Sequence, residues 1–382
     1  GAVSSNTSSI SLGSNGTANI ASNIDAATTA TISGSTVALS GDVVANGAVN
    51  IIATNGALGL LGTIDSGAGI GLRADNGDLS IGAASRLFGA SGISANARTI
   101  DAQGDLLSPG TIALTARNGL TASGNLTSNA AVNLAAGTSL LTSGTIDGAS
   151  ASLTAANLTT GGTIDTSGAV VLNIGNTAII TNRISAGGAI SFTSGTRADL
   201  DITATGSLVS NSTVSLQNVR TLGLAGMVSA ATNVSADTSG NISLAGRIEA
   251  GSDISLAAAS ATTTSISGTL EAGRALTLSG GALELAGRLA SGAALSLTND
   301  STTLTAAGSA LAGSTLAINS TRLTSAGTLG ANGNVTLNGT NALSNSGTVF
   351  SNTGSVNLAS NGIATVGGFV DAATSASISG AS

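Results

Sequence analysis

The sequence predicts an all-β protein: a parallel β-helix with about 20 residues and three short strands per coil. Three observations predict it. One repeat spacing runs through the whole chain, each repeat holds short alternating runs, and the composition is rich in aliphatic residues but nearly free of rings and charges.

The spacing is found by following the last residue of the run "AVNL", Ala131 to Leu134. Equivalent positions are Leu12, Ile32, Ile51, Leu72, Ala95, Leu114, Leu134, Leu153, Leu172, Phe192, Leu216, Ala236, Leu256, Leu278, Leu297, Ile318, Leu337, Leu358 and Ile378. Successive marks are about 20 residues apart, a period that belongs to solenoids. The expectation is a single continuous repeat domain over residues 1–382, with about 18 coils stacked roughly 4.8 Å apart.

Within a coil the elements come in a fixed order. Around Leu134 the first strand is Val132-x-Leu134, the second centres on Leu140, and the third is Gly144-Thr-Ile146. In the next coil they are Leu153, Leu158 and Gly162-Thr-Ile164. Alternation over two or three positions suits half-buried strands, and Gly and Ser every few residues make helix costly. Asn-Gly pairs such as Asn55-Gly56, Asn76-Gly77, Asn118-Gly119, Asn332-Gly333 and Asn361-Gly362 punctuate the runs as turns where positive φ is accessible. The phrase "GTID" stands at Gly62 to Asp65, Gly144 to Asp147 and Gly162 to Asp165, with variants "GRIE" at Gly246 to Glu249 and "GTLE" at Gly268 to Glu271. It reads as the third strand, with Gly at a corner, Ile inward and the acid exposed at the following corner.

Composition fits a narrow stacked core. Hydrophobic residues are 42% and aromatic residues 1%, so the core is built from aliphatic columns with little room for Phe88, Phe192, Phe350 and Phe369. High hydrophobicity with a net charge of only −7 argues against disorder. No apolar run reaches the ~18 residues of a membrane span, and the Trp and Tyr girdles of a transmembrane barrel are missing. All 11 basic residues are Arg and they are scattered, which does not suit nucleic acid. With neither Cys nor Lys, no disulfide or Lys-linked isopeptide bond can brace the chain. The chain starts and stops in mid-pattern, which is expected of a segment of a longer fibre.

The residues expected for chemistry are few. With no His or Cys, neither a Ser-His nucleophile nor a Cys/His metal site can be assembled, and the G-G-x-G-x-D calcium repeat is absent. Asp199 and Asp201 are the one candidate carboxylate pair for glycoside hydrolysis. Asp147 with Asp165, and Glu249 with Glu271, fall one coil apart and read as solvated positions, the glutamates near Arg247, Arg274 and Arg288. "LRADNGD" (Leu72 to Asp78) and "TRADLD" (Thr196 to Asp201) belong to the two longest coils, and their extra residues are expected in outward loops. Arg-Ala-Asp there loosely resembles the Arg-Gly-Asp integrin motif. Thr262-Thr263-Thr264 is out of phase for an ice-binding face, and sequons such as Asn125-Leu-Thr127 and Asn241-Ile-Ser243 are expected by chance. The expectation is no enzyme, with no catalytic, cofactor-binding or metal site.

Runs such as "GGAISFTSGTRADLDITATGSLVS" (Gly187 to Ser210) and "GAALSLTNDSTTLTAAGSALAGSTLAIN" (Gly292 to Asn319) resemble the repeat region of filamentous-haemagglutinin-like exoproteins of the two-partner-secretion class. The family's Asn-Pro-Asn-Gly secretion signature is missing; the only Pro is Pro109. The resemblance implies a right-handed β-helix shaft, an extracellular or cell-surface location, an outer-membrane transporter as export partner, and roles in adhesion, aggregation or biofilm. It carries over no functional residue. A host-surface or glycan receptor is a candidate partner. Two alternatives stand beside the adhesive shaft: a filament that self-associates end to end, and a polysaccharide-active β-helix enzyme.

Overall fold

The computed structural model describes residues 2–381, and no helix occurs among them. Contacts divide the chain into two compact units, Gly1–Gly188 and Ala189–Ser382. Each is a right-handed parallel β-helix, with about 19 coils between them.

In the first unit the marks predicted from spacing are partners in register. Leu12 faces Ile32, then follow Ile51, Leu72, Ala95, Leu114, Leu134, Leu153 and Leu172. A second column runs Leu58, Leu79, Ile100, Leu120, Leu140 and Leu158. A third runs from Ile24 through Val43, Ile64 and Leu87 to Leu106, Leu126, Ile146 and Ile164. The second and third columns are buried throughout. Removing each such side chain from water is worth about 1.5–3 kcal/mol, and every coil supplies several.

The second unit repeats the arrangement. Phe192, Leu216, Ala236, Leu256, Leu278, Leu297, Ile318, Leu337, Leu358 and Ile378 are successive register partners. Phe192 is the one ring inside; Phe369 is largely exposed, and Phe350 lies on the outer face above Gly330, where a Cβ would collide with its ring.

The "GTID" phrase recurs because one corner leaves no space. A Cβ at Gly62, Gly144 or Gly162 would overlap the carbonyl oxygen of the glycine one coil earlier, Gly41, Gly124 or Gly144. The acid is not at the next corner, as the sequence suggested. The strand is Ile64–Ser66, with Ile64 and Ser66 inward and Asp65 outward between them. The run continues two residues past Ile, and a buried serine closes it.

Two further expectations are corrected. Among the described residues positive φ is found at Arg197, Asn218, Ala261, Gly92 and Gly280, so the Asn-Gly turns do not use it. Their glycines serve close approach instead: a Cβ on Gly77 would overlap the Gly56 carbonyl. The extra residues of the long coils lie elsewhere in the first coil and partly so in the second. "LRAD" ends the strand Gly69–Ala74, and Ala198–Ile202 is itself a strand with Ala198, Leu200 and Ile202 buried. Turns at the second-to-third corner take up extra residues in both coils, closed by Ser85 N–H to Gly82 O and Gly206 N–H to Thr203 O, both 2.9 Å. In the second coil the rest form an exposed turn over Gly195, Thr196 and Arg197, as expected, with Arg197 at positive φ.

In some coils the first and second strands run together into one. Ser150–Thr160 and Val170–Ile180 in the first unit are such strands, as are Leu295–Leu304 and Leu316–Ser325 in the second.

Candidate functional site

The outer faces carry the polar chemistry, organised by the coil spacing. Asp147 and Asp165 are register partners, as are Glu249 and Glu271, so like charges do stack one coil apart. The glutamates are bracketed by arginines. Arg247 reaches Glu249 and, at 2.7 Å, Glu271, while Arg288 Nη1 meets Glu271 Oε1 at 2.8 Å. A hydrogen bond to Glu271 is the main cause that raises the Arg247 guanidinium above its usual pKa. Arg274, grouped with these by the sequence, instead donates to Asp253 at 3.1 Å.

Asp199 and Asp201 both point outward from Ala198–Ile202, and Asp199 is taken up by side chains one coil later. Arg220 grips Asp199 with Nε at 2.8 Å and with Nη2, and Thr221 Oγ1 adds a bond of 2.6 Å. The Arg220 hydrogen bond, opposed by burial, leads in lowering the Asp199 carboxyl to about 2. A glycosidase acid needs the opposite shift.

The same fork occurs in the first unit. Arg98 Nε and Nη2 meet Asp78 at 2.9 and 2.6 Å, and Thr99 Oγ1 adds 2.6 Å. Asp78 is likewise brought down to about 2, chiefly by Arg98 and then Thr99. The sequence held a signal for this device: an Asp followed one coil later by Arg-Thr.

A second motif missed at the sequence level is a ladder of side-chain acceptors at the corners. Asn23 Oδ1 accepts Asp42 N–H at 3.2 Å, and Asp42 Oδ1 accepts Thr63 N–H and Oγ1–H at 2.9 and 2.7 Å. The Thr63 main-chain bond is the leading cause that lowers the Asp42 pKa. Both sequon asparagines named above serve such ladders. Asn125 donates to Asp105 Oδ1 at 2.9 Å and accepts from Thr145 at 2.6 Å, and Asn241 Oδ1 accepts Thr263 N–H at 3.0 Å. In the threonine run, Thr264 is buried and Thr262 bonds the Ala259 carbonyl at 2.6 Å, which leaves no flat hydroxyl row.

The third missed feature is the serine at the third-to-first corner. Ser108, which precedes Pro109, is buried; its Oγ donates to Gly89 O at 2.5 Å and accepts Gly110 N–H at 3.0 Å. Ser66 and Ser128 repeat the device. Ser reads as a turn former in sequence, and here it is one, but with its hydroxyl inside.

Among the described residues no three of His, Cys, Asp or Glu gather as a metal site. No protein-family model, curated protein or solved structure matches the chain.

Proposed function

We propose that the chain is the shaft of a secreted bacterial surface fibre that supports adhesion, aggregation or biofilm formation, exported through an outer-membrane transporter of the two-partner-secretion class. The observation that carries this reading is the continuous coil-to-coil pairing of strands within each unit, with many outer charges tied into pairs and ladders. Parallel strands put the main-chain hydrogen bonds along the stacking direction, so load along that direction is shared by three strands per coil. No disulfide supports them. Such a stack suits a spacer that resists extension and needs no ligand to fold.

Immunogold labelling of the producing cells tests the proposal. Label on surface projections, together with loss of attachment when the chain is deleted, supports it. Label confined to the cell interior, or attachment unchanged by the deletion, overturns it.

A further inference from the structure

Arginines are scattered over most of the chain, but Arg73, Arg98 and Arg117 meet on neighbouring coils of the first unit. Arg73, Asn96 and Thr115 are successive register partners on an outer face. Arg98 is already matched by its fork to Asp78. The other two converge on one residue through different atoms. Arg73 Nε pairs with the Asp75 carboxylate, while Arg117 reaches back two coils to donate Nη2–H to the Asp75 main-chain carbonyl.

That leaves one carboxylate against two guanidiniums. Both Nη groups of Arg73, and the Nε and second Nη of Arg117, have no acceptor among the described residues. The groups border a recess of about 390 Å³ lined by Arg73, Asp75, Asn96, Thr115 and Arg117 with two alanines. An ordinary surface ion pair sets one Arg against one Asp and is worth little. Here a second Arg is drawn into the same place by a neutral oxygen, so the recess keeps a surplus positive charge.

We infer that this recess binds a carboxylate carried by a small ligand, held between the guanidiniums of Arg73 and Arg117. A planar guanidinium matches the two oxygens of a carboxylate with parallel N–H donors, which a point charge cannot do. Asn96 and Thr115 add neutral donors and acceptors beside it for hydroxyl or amide groups of the same ligand. The inference is independent of the shaft reading, since a binding recess can sit on a coil of any function.

With 11 arginines in the chain, arginine Nε–H resonances of the full-length protein give a short, assignable spectrum. It is titrated with glucuronate and with N-acetylaspartate, and glucose serves as the uncharged control. Saturable shifts of the Arg73 and Arg117 signals by either acid, at a dissociation constant of about 1–10 mM, are expected. Whichever acid binds more tightly identifies the source of the carboxylate. Arg73→Gln and Arg117→Gln each weaken binding at least about tenfold, and Arg183→Gln leaves it unchanged. Asn96→Ala keeps the test open should an arginine variant misfold: it weakens the tighter acid and spares the Arg98 signal. No saturation by either acid at about 50 mM, an equal response to glucose, or shifts that survive both arginine variants overturns the inference.

Discussion

Replacing Gly144 with Ala is expected to damage the first unit out of proportion to one methyl group. Its Cβ would overlap the Gly124 carbonyl oxygen and stand 2.6 Å from the Ser123 carbonyl oxygen and 2.7 Å from the Gly124 carbonyl carbon. Ordinary contact is about 3.5 Å and the Gly124 oxygen is the nearest atom, so the coils must part there by more than about 1 Å. The neighbours are main chain and cannot swing aside. The Gly144 N–H bond to Ala122 O is already 3.2 Å long, and such a shift takes it out of hydrogen-bonding range. Overpacking at about 1–3 kcal/mol plus a lost backbone bond at about 1 kcal/mol gives a cost of about 2–4 kcal/mol. Gly59 is the control, since a Cβ there meets nothing within 4 Å. Gly59→Ala should stabilise by about 0.5–1 kcal/mol, because a glycine inside a strand carries surplus unfolded-state entropy. Urea titrations followed by circular dichroism compare the two midpoints. If Gly144→Ala matches or exceeds Gly59→Ala, close stacking is not why the "GTID" glycine recurs.

Leu134 is buried between its register partners Leu114 and Leu153, so Leu134→Ala should cost about 2–5 kcal/mol in the same titration. Ser108→Ala removes a buried hydroxyl and strands the Gly110 N–H, for a loss of about 1–3 kcal/mol, whereas Thr127→Ala on the outer face should be nearly neutral. Asp78 and Asp199 titrate at about 2 in the folded chain, below the ~3.9 of an unfolded aspartate. A lowered carboxylate stabilises fully above the unfolded value and loses that contribution as pH falls through the folded one. Melting temperatures should therefore drop between about pH 4 and pH 2, and less so in the Asp78→Asn, Asp199→Asn double variant. Partly exposed pairs of this kind contribute no more than about 1 kcal/mol each.

The fold was legible because a solenoid writes its cross-section once per coil. Every mark from Leu12 to Leu172, and from Phe192 to Ile378, found its register partner, since each was chosen as the same inward position of the same strand. What stayed hidden depended on atoms rather than pattern. Asp65 looked like a corner because Ser66 and Gly67 are turn formers, yet Ser66 is an inward strand residue whose hydroxyl the backbone satisfies. The insertions were assigned to "LRADNGD" and "TRADLD" because extra residues in a solenoid are expected in outward loops. Ala74, Ala198 and Leu200 are inward, and the turns at Ala83-Ala84 and Thr203–Gly206 absorb much of the length, the rest of the second insertion lying at Gly195–Arg197. Pairs such as Asp78–Arg98 need a coil-to-coil alignment before they can be seen at all. The recess at Arg73 and Arg117 needs two.

The chain has no cysteine, so paired cysteines can report the alignment directly. Thr127 and Asp147 are outward register partners, about 4.8 Å apart at Cα, and Thr127 and Asp165 are two coils apart at about 9.6 Å. A disulfide needs roughly 4.4–6.8 Å. Under mild oxidation the Thr127→Cys, Asp147→Cys protein should cross-link within one chain, while the Thr127→Cys, Asp165→Cys protein should stay reduced. Equal cross-linking of the two, or oxidation of the second alone, would contradict coils stacked one repeat above another.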